Sequence, residues 1–174
     1  MRVSILLRAV NLGKRNKVPM AELRTLCEHI GLRDVSTYIA SGNIVCAAPD
    51  DLDGTLRELE SAIEAEFGVA TPAIGRTHAE LDAVVAANPY SAFEPKLMHV
   101  VYLAGQPDAD GVAALAERDF GPDECTVVGR EVYTRYADNT HASKLTPPVM
   151  QRLLGVPGTA RNWRTALKLA ELTG

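Results

Sequence analysis

A basic, glycine-containing loop follows the first apolar segment of the chain. Its residues suited to holding an anion are Arg8, Asn11, Gly13, Lys14 and Lys17. Residues 1–24 carry six Lys or Arg and one acidic residue, although the chain of 174 residues has 18 basic and 22 acidic residues and a net charge of -4. Cationic side chains beside a glycine turn are donors that recognise phosphate. The loop is therefore predicted to bind an anionic, phosphate-bearing ligand or a nucleic-acid backbone.

A second polar segment, Ser41, Gly42 and Asn43, is predicted to lie beside this loop. It separates two short β-type segments at residues 34–38 and 44–48, which is typical of a hairpin. The flanking elements are an apolar strand over residues 2–10, a helix opened by Pro19 and ended by Gly31, a helix over residues 52–67 and a strand over residues 69–76.

The resulting β-α-β-β-α-β order is the ferredoxin-like one. In that arrangement the first strand is central, and its end lies beside the start of the third strand. The basic loop, the Ser41–Gly42–Asn43 turn and the N-terminus of the first helix are therefore expected at one edge, where the helix dipole also favours an anion.

The remaining sequence predicts a second, altered copy of this order. Thr77 and Glu80 form a capping-box pattern for a connecting helix. A strand over residues 96–104, a helix capped by Asp108, strands over 124–128 and 131–136, and a helix over 147–154 follow. A terminal helix over residues 159–172 is predicted in place of the final strand.

The predicted fold is thus α+β, with two ferredoxin-like subdomains. The first spans residues 1–76, a connector helix and loop spans 77–95, and the second spans 96–174 as a β-α-β-β unit that ends in C-terminal helices.

Composition limits the class and location of the protein. A hydrophobic fraction of 47% with 23% charged residues is typical of a soluble globular protein. The first apolar segment is too short for a signal peptide, no run could span a bilayer, and three widely separated cysteines indicate reduced thiols in a cytoplasm. No zinc, P-loop or dinucleotide spacing is present, so no metal, cofactor or membrane association is predicted.

The C-terminal segment extends the list of candidate ligand-binding residues. Residues 130–174 carry seven basic and three acidic residues. Lys144, Arg161 and Asn162 are included because a fold that brought the two basic ends together would enlarge one positive surface. Pairing of these cations with the acidic middle of the chain is the open alternative.

Other chemistry is less specific. Cys27 and Cys46 fall on apolar positions and are predicted to pack in the core. The cluster of Asp50, Asp51 and Asp53 precedes a helix and is interpreted as its start. Arg8, at the end of an apolar strand, would need an acidic partner if it were buried.

Three functions stay open beside one another. The first is binding of the anionic ligand. The second is protein interaction or self-association, including a homodimer, through the sheet edge that an unfinished second subdomain would leave. The third is an enzyme whose reactive group is Lys17 or Lys144. No catalytic residue is identified, so the sequence does not decide whether the protein is an enzyme.

Several motifs resemble a known bacterial family. They comprise Arg8, Asn11, Gly13, Lys14, Asn16, Lys17, Val18, Pro19 and Met20, then residues 37–45, 143–145 and 159–163. Together they are similar to the domain-of-unknown-function family 1697, over essentially the full chain. The resemblance implies two ferredoxin-like subdomains and no established activity. The glycine usual in that family after the first arginine is Ala9 here, and the asparagine usual after Trp163 is Arg164.

Overall fold

The structure, a computed structural model, describes all 174 residues and divides into two compact units. Unit 1 comprises residues 1–82 and 169–174, and unit 2 comprises residues 83–168. The chain forms two four-stranded antiparallel sheets and six α-helices. The fold is therefore mixed α+β. None of the helices is long and apolar enough to span a bilayer.

The sheet of unit 1 is built from elements in the order β-α-β-β-α-β. They are β1 (Arg2–Leu7), α1 (Met20–His29), β2 (Ser36–Tyr38), β3 (Asn43–Ala47), α2 (Leu52–Phe67) and β4 (Ala73–Thr77). The strand order is β2-β3-β1-β4, so β1 is central, as its apolar run predicted. Leu6 lies opposite Asn43, which places the end of β1 beside the start of β3, the edge expected for the basic loop.

The core of unit 1 forms between one face of this sheet and the two helices. Val3, Ile5 and Leu7 of β1 pack there with buried residues of α1 and α2. Cys27 and Cys46 are both fully buried, as predicted, and burial raises the pKa of Cys27 to about 12 and that of Cys46 to about 11. Both thiols stay protonated at neutral pH and serve as small apolar side chains.

The acidic cluster before α2 starts the helix, as interpreted from the sequence. The Asp51 side chain accepts a hydrogen bond from the Gly54 backbone N–H at 2.9 Å. The helix ends at Gly68, whose φ is +66°. These two caps explain why its observed bounds equal the predicted ones.

Helix α3 (His78–Ala86) begins at the predicted capping box. The backbone N–H of Thr77 donates to the Glu80 carboxylate at 2.8 Å, and the N–H of Glu80 donates to the Thr77 hydroxyl at 3.3 Å. The helix runs from the last residues of the first segment of unit 1 into unit 2.

Unit 2 repeats the element order of unit 1. After a 3₁₀ turn at Pro95–Leu97 come β5 (Met98–Leu103), α4 (Ala109–Glu117), β6 (Glu124–Val128), β7 (Glu131–Arg135), α5 (Pro147–Leu154), β8 (Gly158–Asn162) and α6 (Trp163–Thr173). Its strand order, β6-β7-β5-β8, corresponds element by element to that of unit 1.

Strand β8 corrects the predicted C-terminus. The terminal helix was expected over residues 159–172 in place of a final strand, but residues 158–162 pair antiparallel with β5 and the helix begins at Trp163. The inward positions of β8 are Thr159 and Arg161, two polar residues, so the alternation carries no apolar signal. Strand β8 occupies the side of β5 that was predicted to stay open, so the edge strands of the second sheet are β6 and β8.

His99 of β5 makes the stability of unit 2 sensitive to acid. Its Nδ1 is buried without a hydrogen-bond partner, its ring contacts Tyr136 edge-on with centroids 5.4 Å apart, and burial lowers the pKa of His99. The folded state therefore binds fewer protons than the unfolded state once pH falls below the ordinary histidine pKa of about 6.5.

We expect the free energy of unfolding to fall as pH decreases from about 6.5 to the lowered pKa of His99. His99→Phe, which cannot titrate, should flatten this part of the profile in urea unfolding followed by circular dichroism. Comparison of the two proteins at pH 8 separates the packing effect of the substitution from titration. An equally steep decline in the variant would contradict the assignment.

Candidate functional site

The basic loop is itself a small hairpin, which we call the basic hairpin and define as residues 8–17. The backbone N–H of Asn11 donates to the carbonyl of Asn16 at 2.8 Å, and the N–H of Arg15 donates to the carbonyl of Leu12 at 2.9 Å. Gly13 follows Leu12 with a φ of +57°. That is the position at which two-residue hairpin turns carry glycine. The loop is thus a folded projection from the sheet edge.

The side chain of Asn11 joins this hairpin to its two neighbours. Its Nδ2 donates to the carbonyls of Val18 and Ala40, each at 2.8 Å. Its Oδ1 accepts the backbone N–H of Val18 at 2.9 Å. One carboxamide therefore fixes the hairpin both to the residue before Pro19, which caps α1, and to the turn between β2 and β3. The sequence-based expectation that these segments meet at one edge is confirmed.

The base of the hairpin is held from β1 and from the segment before β4. The Thr71 hydroxyl donates to the carbonyl of Arg8 at 2.7 Å and accepts the backbone N–H of Arg8 at 3.0 Å. The Asn16 side chain donates to the carbonyl of Ala9 at 2.9 Å. Thr71 was absent from the predicted site, because a contact across 63 residues leaves no local signal.

The turn between β2 and β3 packs directly on this base. The backbone N–H of Leu7 donates to the carbonyl of Gly42 at 2.8 Å. Gly42 has a φ of +81°, and a Cβ there would lie 2.7 Å from Val10 Cγ2 and 2.8 Å from Leu7 Cβ. Glycine is therefore required twice, for backbone conformation and for space.

Asn43 and Ser41 stabilise the same turn. The Asn43 side chain, which is fully buried, donates to the carbonyl of Tyr38 at 2.8 Å and to the Ser41 hydroxyl at 3.0 Å. Of the three turn residues in the predicted site, Gly42 and Asn43 thus shape the turn from inside, and only Ser41 is partly exposed.

The cations of the hairpin lie at its surface. Lys14, Arg15 and Lys17 are exposed, Arg8 is half-buried, and none of the four forms an ion pair. Arg8 has no acidic partner. It does not require one, because the Arg8 residue is only half-buried. Four positive charges therefore remain uncompensated on one projection.

Arg24 adds a positive group that the sequence analysis did not select. Its Nη1 donates to the Thr37 hydroxyl at 2.7 Å, so the half-buried side chain crosses from α1 to β2. The only sequence signal was its membership in the basic stretch over residues 1–24.

The backbone around the hairpin is unusual. Five residues other than glycine have a positive φ, and four of them lie here: Ala9 (+54°), Asn11 (+53°), Asn16 (+51°) and Ile39 (+49°). Asparagine tolerates this region, but a β-branched residue such as Ile39 is an outlier. Ala9 has a φ at which glycine is the least strained residue. Such strain clusters at functional sites.

The remaining candidate residues belong to unit 2 and have structural contacts. Lys144 is exposed between Ser143, whose hydroxyl donates to Asp123 at 2.6 Å, and the buried Leu145. Asn162 Oδ1 accepts the backbone N–H of Arg164 at 2.9 Å and so caps the start of α6. The Ser-Lys-Leu segment therefore presents one cation on an anchored loop.

Arg161 was expected to face outward from a helix, but it lies on β8 and is buried. Its Nη1 donates to the Thr159 hydroxyl at 2.7 Å and to the carbonyl of Ala160 at 2.9 Å. Burial lowers the pKa of Arg161 to about 10, so it stays charged at neutral pH. It contributes to the interior of the sheet and not to a positive surface.

Covalent and metal chemistry find no support in this geometry. Lys17 and Lys144 are both exposed, whereas a reactive lysine needs a desolvated or cationic environment. No group of three or more His, Cys, Asp or Glu side chains is arranged to hold a metal ion. What the hairpin offers chemically is charge and hydrogen-bond donors on a fixed backbone.

Comparisons with known proteins show the family and the fold. The profile of a family described as "Protein of unknown function (DUF1697)" matches residues 1–133. The solved structure of the conserved bacterial protein SP0830 from Streptococcus pneumoniae has a TM-score of 0.78, with 22% sequence identity, and the alignment covers 99% of this chain and 98% of that chain. At this identity the likeness shows the fold alone. No curated protein matches the sequence.

Gly13 of the basic hairpin and Gly42 of the turn between β2 and β3 should differ in their tolerance of a side chain. Gly42→Ala introduces both left-handed strain and overlap with Leu7 and Val10, whereas a Cβ at Gly13 meets nothing within 4 Å. We expect Gly13→Ala to cost about 1 kcal/mol from backbone strain alone. Gly42→Ala should cost roughly 3 kcal/mol. Thermal unfolding of both variants tests this, and equal losses would contradict it.

Ala9→Gly should stabilise the protein. It removes the strain of a left-handed alanine, about 1–2 kcal/mol, against roughly 0.4–1 kcal/mol of added chain entropy in the unfolded state. Ala142→Gly is the matched control, because Ala142 is also exposed in a loop but has no positive φ. A melting temperature that rises for Ala9→Gly and falls for Ala142→Gly is the expected result. A fall in both would show that Ala9 is unstrained.

Proposed function

This chain belongs to the DUF1697 family of proteins of unknown function, and we propose that it binds an anionic, phosphate-bearing ligand through the basic hairpin of unit 1. The observation that carries the proposal is the set of exposed, unpaired cations Lys14, Arg15 and Lys17 on a backbone fixed by side-chain hydrogen bonds. Arg8 at the base adds a fourth charge.

The alternative is that the hairpin is an ordinary solvated loop. A loop that only connects β1 to α1 needs no left-handed alanine, and each such residue costs about 1–2 kcal/mol. It also needs no carboxamide that bonds two other segments, as the half-buried Asn11 does. The free-energy cost of this left-handed backbone favours a hairpin whose conformation has a binding function.

The start of α1 brings backbone N–H donors to the same edge, together with the carboxylate of Glu22 in its first turn. Pro19 caps the helix without a side-chain hydrogen bond, so the N–H groups of the first turn have no capping acceptor. They form the positive end of the helix dipole. Asn11 binds Val18, directly before Pro19, and thereby fixes this helix end relative to the hairpin.

Two further assignments accompany this proposal. Each unit is proposed to be a ferredoxin-like subdomain, on the basis of the shared element order and strand order. A cytoplasmic location is proposed because Cys27, Cys46 and Cys125 are all free thiols.

A thermal-shift screen with nucleotides, sugar phosphates and short oligonucleotides tests the binding function. A ligand that binds only the folded state raises the melting temperature in proportion to its saturation. We expect a shift that shrinks steeply as salt is raised, and that shrinks at low salt in Lys14→Ala and in Lys17→Ala.

Arg57→Ala is the control, because it removes the same charge from an exposed position on α2 of the same unit. It should leave the shift close to that of the unaltered protein. If Arg57→Ala reduced the shift as much as Lys14→Ala does, the effect would come from net charge and the hairpin would not be the site. Absence of any shift with all three ligand classes would overturn the proposal.

A further inference from the structure

We infer that the ligand of the basic hairpin is double-stranded DNA, and that the hairpin tip enters a groove with Leu12 against the base edges. The inference rests on the proposed function, since it names the class of phosphate-bearing ligand. It is carried by three features of the hairpin: its convex shape, its exposed apolar side chains and its dimensions.

The convex shape argues against a small molecule. Sites for small ligands are clefts that bury most of the ligand surface. Residues 12–17 are all exposed, and they project from the sheet edge without enclosing anything. A cavity of about 350 Å³ in unit 1 is lined by α1 residues such as Glu22 and His29 and by Glu66 of α2, and it includes no hairpin residue. The exposed basic hairpin is therefore complementary to a ligand that itself has a concave surface, such as a groove.

Two exposed apolar side chains accompany the cations. Leu12 is 58% exposed and Ile39 is 51% exposed, and they are two of the six large hydrophobic side chains that the chain exposes. Each lies one residue from the hydrogen bond between Asn11 Nδ2 and the carbonyl of Ala40. Ile39 is held outward on a left-handed backbone that isoleucine rarely adopts. A ligand that offers an apolar surface as well as phosphates would match this combination.

Nucleic-acid duplexes combine these two properties in a groove. The two arms of the hairpin are joined by one β-bridge, between Leu12 and Arg15. Paired antiparallel arms lie about 4.8 Å apart, and with their side chains they fit a major groove about 12 Å wide but not a minor groove about 6 Å wide. The C5-methyl group of thymine is the apolar feature of that groove and is contacted by aliphatic side chains. A-form RNA is excluded as the duplex, because its major groove is too narrow for side chains to read.

The composition of the hairpin argues against other macromolecules. Single-stranded nucleic acid is bound on stacked aromatic side chains, and residues 8–17 include none. Protein interfaces are depleted in lysine and enriched in aromatic residues and arginine; this segment has two lysines and no aromatic residue, beside two arginines. Lys14, Arg15 and Lys17 are instead residue types that contact DNA phosphates and so position a protein on the duplex.

The experiment is fluorescence anisotropy of the full chain with a labelled AT-rich duplex, the corresponding single strand and the same duplex with deoxyuridine in place of thymidine. Phosphatidylserine vesicles and inorganic polyphosphate serve as unlabelled competitors. Leu12→Ala, Lys14→Ala and the control Arg57→Ala are compared, and all three positions are exposed, so the fold is retained.

We expect the duplex to bind most tightly, with a slope of about 3 in log Kd against log salt for three phosphate contacts. Lys14→Ala should lower this slope by about 0.9. Replacing thymidine by deoxyuridine should weaken binding about fourfold for one lost methyl contact. That loss should disappear in Leu12→Ala, because the variant has no side chain to make the contact.

Other results distinguish failure of the duplex inference from failure of the proposed anion binding. The duplex inference is overturned if the unaltered protein binds duplex and single strand equally, or binds the thymidine and deoxyuridine duplexes equally. In either case, salt-dependent binding that is weakened by Lys14→Ala still supports the proposed function. Stronger displacement by vesicles than by polyphosphate assigns the apolar tip to a lipid surface and also overturns it. If the chain binds none of these probes, both are wrong.

Discussion

The carboxamide of Asn11 is the interaction on which the geometry of the site depends. Its two donors and one acceptor satisfy Val18 and Ala40, so three chain segments with separate origins acquire one fixed arrangement. Few other side chains could replace it: aspartate would set a carboxylate against two carbonyl oxygens, and Leu or Met would leave those groups unsatisfied. Gly42 packs closely against Leu7 and Val10, which brings the turn between β2 and β3 next to the base of the hairpin. The exposed cations owe their positions to these interior contacts.

The residues that organise the site were found from the sequence where local signals exist and missed where they do not. Apolar periodicity, Gly68 and the Asp51 cap defined α2, and the apolar run of β1 indicated a central strand. Strand β8 was missed because its inward side chains are polar, and the period of two that identifies strands depends on apolar contrast. Thr71 was missed for a different reason: its partner Arg8 lies 63 residues away, and a lone threonine before a proline has many ordinary explanations.

Strand β8 also reveals how closely the two units correspond. In unit 1, Arg76 of β4 lies opposite Ser4 of β1 and donates to the carbonyl of Gly75. In unit 2, Arg161 of β8 lies opposite Val100 of β5 and donates to the carbonyl of Ala160. Each arginine is buried one residue before the end of the last strand. Burying a guanidinium carries a desolvation cost. Both units nevertheless bury one at the same register position of the last strand.

The correspondence stops at the loop after the first strand, and that difference bears on function. Residues 8–17 follow β1 with four cations and a hairpin of their own, whereas residues 104–108 connect β5 to α4 directly and contain no basic residue. Two units with the same strand order thus differ in the loop that carries the four cations of unit 1.

The acidic character of the rest of the chain sharpens this contrast. Residues 26–129 carry eighteen acidic and five basic residues, yet exposed charges beyond about 8 Å are largely screened at physiological salt. A polyanion therefore meets the hairpin as a local positive site, and the surrounding acidic surface repels it at other orientations. An excess of negative charge is for this reason compatible with the proposed binding of a nucleic acid at one edge, and it would confine such binding to the element on which the cations are fixed.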